Sequence, residues 1–153
     1  MQRPTSAARI STNLEEMNLD WVHQILSTQS YWAKGIPKEI VQRSMQNSLC
    51  FGVFLENQQI GFARVITDKA TFANLVDVFI TPEQRGHGYS KQLMSFIMAH
   101  PDLQGLRRFS LATSDAHSLY AQFGFTPLAK PETLMERRAP FGFYEQSSIS
   151  NLQ

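Results

Sequence analysis

Leu-Val-Asp-Val-Phe-Ile-Thr-Pro-Glu-Gln-Arg-Gly-His-Gly-Tyr-Ser, residues 75–90, decides how the rest of the chain is read. Its opening six residues are apolar apart from Asp77 and rich in β-branched and aromatic types, as a buried strand requires. Pro82 ends the run, a polar turn follows, and Gly86 and Gly88 lead into a helical pattern. Glycines admit a ligand to the backbone, and the first amides of a helix have no partner within it. Together with the positive end of the helix dipole they form an anion site suited to phosphate, to which Arg85 adds a charge.

Two familiar phosphate loops are excluded. A mononucleotide loop needs Gly-Lys-Ser/Thr, whereas Gly88 is followed by Tyr89-Ser90-Lys91. A dinucleotide fingerprint needs a third glycine where Lys91 stands. What remains is Arg/Gln-x-x-Gly-x-Gly/Ala after a strand, matched by Arg85-Gly86-His87-Gly88-Tyr89-Ser90 with Ser90 as the small residue at the end. About thirty residues on, residues 111–125 read Leu-Ala-Thr-Ser-Asp-Ala-His-Ser-Leu-Tyr-Ala-Gln-Phe-Gly-Phe. The two motifs, in this order and spacing, resemble the acyl-CoA loop and the terminal Leu-Tyr-x-x-x-Gly-Phe of the GNAT family of N-acetyltransferases. The resemblance is close over residues 75–125, a third of the chain.

Composition is consistent with such an enzyme and sets other classes aside. A chain of 153 residues with 42% hydrophobic content fits one domain with a real core, spanning residues 1–153 with 1–8 and 147–153 expected to be flexible. The formal charge is +1 without runs of like charge, so there is no basic stripe for nucleic acid. Cys50 is alone, which leaves no disulfide framework and no cysteine metal cluster. No apolar run approaches a membrane span, and residues 1–9 lack the apolar stretch of a secretory signal. The expectation is a soluble cytoplasmic protein, monomer or homodimer, with no metal.

Working outward from the central stretch, residues 72–80 form a strand. Before it, residues 49–55 and 60–66 form a hairpin joined at 56–59, and residues 10–12 a short first strand. Arg64 interrupts an apolar run and reads as a solvent-side residue, the other option being the partner of an acid. Asn18 caps a helix that packs by Trp21, Val22, Ile25 and Leu26, and Pro37 opens a second helix ending near Asn47. Downstream, the helix after the glycine loop presents Leu93, Phe96 and Ile97, and His100 near its end is a dipole partner or a surface residue. Residues 106–113 form a strand parallel to 72–80, because a crossover helix separates them. Asp115 caps a helix running to Phe123, and Gly124 ends it. Leu128 and residues 134–137 supply the last strands. The fold class is a single α/β domain with a mixed, twisted sheet of six to seven strands, four helices, and a splay at the acyl-CoA site.

The resemblance implies the chemistry. Acetyl-CoA would lay its diphosphate on Arg85, Gly86, His87, Gly88, Tyr89 and Ser90, and its pantetheine amides along the backbone of Val78, Phe79 and Ile80, one of whose amides would polarise the thioester carbonyl. Tyr120 occupies the place of the family's general acid, and a phenol of pKa ~10 suits an alkyl thiolate. On the residue alone, Tyr120 reads as one more buried aromatic beside Leu119 and Phe123, and it is the two motifs that favour the acid. Thr113 stands where the family often has Asn, a further pantetheine contact. Asp77, on the face of Leu75 and Phe79 by period two, is either a general base or an acid paired with Arg64. His117, three residues before Tyr120, either relays a proton or is an ordinary helix residue, and His87 either donates to the diphosphate or is a variable loop residue.

Residues 28–35 carry Tyr31 and Trp32, which either plug the core or wall the acceptor cleft, the resemblance favouring the cleft. The implied reaction is transfer of acetyl to a primary amine, on a small molecule, by direct attack in a ternary complex. A peptide acceptor, or an acyl-CoA-binding module without turnover, are the alternatives.

Overall fold

Five strands and four α-helices are built by residues 8–140 and 142–144, the part of the chain that the computed structural model describes. β1 (Arg9–Ser11), β2 (Leu49–Leu55), β3 (Gln58–Thr67) and β4 (Phe72–Ile80) pair antiparallel in chain order, and β5 (Arg108–Leu111) joins β4 in parallel. The helices are α1 (Leu19–Thr28), α2 (Lys38–Gln46), α3 (Tyr89–Ala99) and α4 (His117–Ala121).

The sheet separates two apolar layers. Val22, Leu26, Val41 and Met45 of α1 and α2 pack with Cys50, Phe62 and Phe79 on one face. Leu93, Met94 and Ile97 of α3 pack with Phe51, Val65 and Leu75 on the other. Local chemistry sets the ends. The Asn18 side chain accepts the Trp21 amide at 3.0 Å and starts α1, and Trp21 stacks on Phe79 with 5.4 Å between ring centres. Asp68 turns the chain into β4: its carboxylate accepts the amides of Ala70, Thr71 and Phe72 and the Thr71 hydroxyl, which together hold it well below the usual carboxylate range.

Several expectations change. Among the described residues the sheet has five strands, not six or seven. Leu128 is in no strand, and residues 134–137 are exposed and in no strand after a 3-10 turn at Pro131–Thr133. Asp115 does not cap α4; the Thr113 hydroxyl accepts the amides of Asp115 (3.4 Å) and Ala116 (3.0 Å), and the helix starts only at His117. His100 closes α3 as its C-cap, and in addition its Nδ1 accepts the Asp102 amide at 3.1 Å and its ring meets Phe51 edge-on. Arg64 is not solvent-side. The expected flexible ends fall almost wholly outside the described residues.

The period-two reading of β4 also fails, at one residue. Val76 pairs with Arg64 and Phe79 with Phe62, so Asp77 and Val78 together oppose Ala63 in a β-bulge. Asp77 takes the left-handed conformation, φ +55°. The extra residue moves Phe79 to the α1–α2 face, opposite Leu75.

Candidate active site

β4 and β5 pair only from Phe72 with Arg108 to Leu75 with Leu111. Beyond that point they part, and β4 continues to Ile80 along β3 alone. The bulge lies where the divergence begins. In a strand the N–H and C=O of one residue point the same way, alternating from residue to residue. The Ile80 carbonyl accepts Arg85 Nε at 3.0 Å, while the Thr81 amide returns to Ile60 on β3 at 2.8 Å. Ile80, and by alternation Val78, therefore present their backbone to the opening, while Phe79 lies opposite Phe62 on β3.

The glycine loop adjoins this edge. Pro82–Gln84 forms a 3-10 turn, Gly86 and Gly88 both sit at φ +82°, and Gly88 is the N-cap of α3. A Cβ on either glycine would point into open space, so the backbone is accessible to a ligand. A hollow of about 200 Å³ is bounded by Ile80, Arg85, Gly86, Gly88, Ser90 and Leu119. The Tyr89 side chain is buried in the α3 layer, which leaves its main chain to face the loop, and His87 lies beside it with ring centres 6.0 Å apart.

Tyr120 is nearly buried on α4, its ring 6.1 Å from Phe125. Burial first, and the nearby Asp115 charge second, push its phenol above the ordinary value. Leu119 borders the loop hollow, whereas Tyr120 borders a second, larger groove of about 910 Å³ that follows β5 and also touches Thr113 and His117. α4 thus stands between the two spaces.

Asp77 is bound on both oxygens. One accepts Arg64 Nε at 2.9 Å and the other accepts Trp32 Nε1 at 2.8 Å, with the ion-paired side chains 16% and 9% exposed. Arg64 Nη1 also donates to the Ser48 hydroxyl at 3.0 Å. The pairing with Arg64 that the sequence left open is present.

The connection between α1 and α2 is tied to its own helix. The Ser30 hydroxyl donates to Leu26 and accepts the Ala33 amide, Gly35 donates to Ser27, and His23 Nε2 meets the Ile36 carbonyl at 2.9 Å. This leaves Tyr31 71% and Trp32 46% exposed, so neither plugs the core. They pack edge to face, 5.0 Å between centres, and the Tyr31 hydroxyl lies 3.2 Å from the Ser114 hydroxyl, across the mouth of the splay. Ser48 and Ser114 were not singled out in the sequence, and no local pattern marks them. Cys50 is buried with its thiol pushed up to about 12 by desolvation, which makes it inert.

A mixed sheet that opens beside a glycine loop at a helix start defines a class, and comparison with known proteins agrees. Residues 46–127 match the family model described as an acetyltransferase (GNAT) domain. A GNAT-family structure from Xanthomonas campestris pv. campestris is 55% identical, with a TM-score of 0.88 over 92% of this chain and 99% of that one. A protein of Gibberella zeae named as an acetyltransferase is 28% identical, with 74% of this chain and 75% of that protein covered. An acetyltransferase from Clostridium acetobutylicum solved with acetyl-CoA shares the fold at 16% identity, TM-score 0.62, over 86% and 95% of the two chains. The chain belongs to the GNAT family of acetyltransferases.

Proposed function

We propose that the protein moves an acetyl group from acetyl-CoA to a primary amine on a small molecule, by direct attack in a ternary complex. The observation that carries this reading is the parting of β4 from β5 past Leu75 and Leu111, with the glycine loop at one end and Tyr120 on the helix alongside.

The donor's diphosphate takes the amides of Gly86, Gly88, Ser90 and the main chain at Tyr89, with Arg85 and His87 adding side-chain donors. Its pantetheine amides pair with the Val78 and Ile80 backbone as an added strand would, with Phe79 holding the edge against β3. The Thr113 hydroxyl, which already accepts two amides, keeps its hydrogen to donate. A neutral amine attacks the acetyl carbonyl, the C–N bond forms, the C–S bond breaks, and Tyr120 gives its proton to the departing thiolate.

The amine's proton leaves through water. Asp77 was the candidate base; with one oxygen on Arg64 and the other on Trp32, its work here is to fix the bulge and Trp32. His117 borders the groove with Tyr120 and is the site for a relay. Tyr31 and Trp32 narrow the mouth, which favours a small acceptor over a peptide.

The test is thiol release from acetyl-CoA across amines, amino acids and short peptides. Turnover confined to small amines supports the reading. Turnover only with peptides would move the acceptor class, and binding of acetyl-CoA without release on any amine would make the protein a binding module.

A further inference from the structure

We propose that the acceptor is a primary amine carrying an aromatic ring, which packs against Tyr31 and Trp32 while its amine reaches the thioester. This acceptor class rests on the acetyl transfer proposed for the site and narrows it. It is read from which atoms of the two rings are already engaged.

The Trp32 side chain has a single polar atom, the indole Nε1, and it donates to Asp77 Oδ1 at 2.8 Å. The Tyr31 side chain also has one, its hydroxyl, which lies 3.2 Å from the Ser114 hydroxyl. The rings are therefore tethered to both sides of the splay, Trp32 to the β4 bulge and Tyr31 to the segment after β5. They meet edge to face at 87°, yet stand 71% and 46% exposed. What such a pair leaves for a ligand is π-surface, on rings whose rotation is already restrained. Asp77 immediately precedes Val78, so Trp32 stands beside the backbone proposed for the pantetheine.

Charge points the same way. Asp77 and Arg64 pair at 2.9 Å and carry no net charge together, so Asp77 has no unmatched charge with which to hold the second ammonium of a polyamine. An amino sugar brings hydroxyls that need partners, and here the indole N–H is taken and the Tyr31 hydroxyl engaged. An aryl ring needs neither. It gains area against one ring and edge-to-face geometry against the other, whereas an alkyl chain of equal length gains area alone.

Thiol release from acetyl-CoA with phenylethylamine, pentylamine, glucosamine and spermidine tests the class. The wild-type chain should favour phenylethylamine over pentylamine at least ~5-fold in kcat/KM, and Trp32→Leu should bring that ratio to within ~2-fold of one, with an unchanged far-ultraviolet dichroism spectrum. A second readout is independent of turnover. The chain has two tryptophans, of which Trp21 packs on Phe79. With coenzyme A present, phenylethylamine should therefore change the indole fluorescence of the wild-type chain and not that of Trp32→Leu. Equal kcat/KM for the aryl and alkyl amines, a preference for glucosamine or spermidine, a ratio that Trp32→Leu leaves intact, or the same fluorescence change in that variant would overturn the acceptor class while the transfer stands. No release with any amine would sink the transfer, and the acceptor class with it.

Discussion

Asp77 and Tyr120 are the two side chains on which the proposed chemistry turns, and their surroundings assign them different work. Burial raises the Tyr120 phenol, so the side chain stays protonated through neutral pH and any alkaline fall in kcat that it causes lies above the ordinary phenol range. By the same shift, its contribution to stability is complete below the ordinary phenol value and is lost as pH rises through the folded one. Tyr120→Phe should lower kcat by about 100-fold or more while leaving donor affinity nearly unchanged, read from steady-state kinetics and calorimetry. Undiminished turnover would remove the acid assignment. Asn, unlike most residues, tolerates the left-handed backbone of position 77, so Asp77→Asn changes charge without forcing the bulge. Breaking the part-buried pair with Arg64 should cost about 2–4 kcal/mol in denaturant unfolding and leave the acidic limb of the pH–rate profile in place. A displaced limb would make Asp77 the base after all.

At the scale of elements, the glycine loop is where sequence and structure agree most closely. Gly88 must hold φ +82°, which a β-branched residue adopts only under strain, and its Cβ would enter the open space proposed for phosphate. Gly88→Val should weaken coenzyme A binding at least ~10-fold. Gly105→Val, equally strained at φ +70° but remote from the loop, should cost similar stability, ~1–3 kcal/mol, and bind normally. Equal affinities in calorimetry would count against the loop. The boundaries of β4 and the Asn18 cap were legible because they rest on residues next to one another in the chain. The bulge was not, since the register that makes Asp77 and Val78 share one partner belongs to β3 as much as to β4. For the same reason the alternation that put Asp77 with Leu75 and Phe79 could not hold. The expected cap at Asp115 failed because the Thr113 hydroxyl gathers the amides of Asp115 and Ala116 into a turn of its own, and the helix begins only at His117.

Across the whole molecule the sheet divides labour. Its α1–α2 face carries the bulge's side chain and the aromatic pair over the mouth, while its α3 face carries the helix whose start adjoins the loop. The site forms where both meet the gap between two parallel strands. Family membership and this gap were readable from two short motifs. The proposed acceptor wall was only partly readable, because Tyr31 reaches Ser114 across 83 positions of chain. Among the described residues the expected last strands are absent: residues 134–140 are exposed throughout and pair with no strand.

Hydrogen–deuterium exchange with and without coenzyme A tests the central claim most directly, because the claim concerns main-chain amides. The account predicts new protection at Val78, Ile80 and residues 86–91, with the outer face of β1 unaffected. Protection absent from that span, or confined to another part of the chain while the coenzyme is bound, would contradict it.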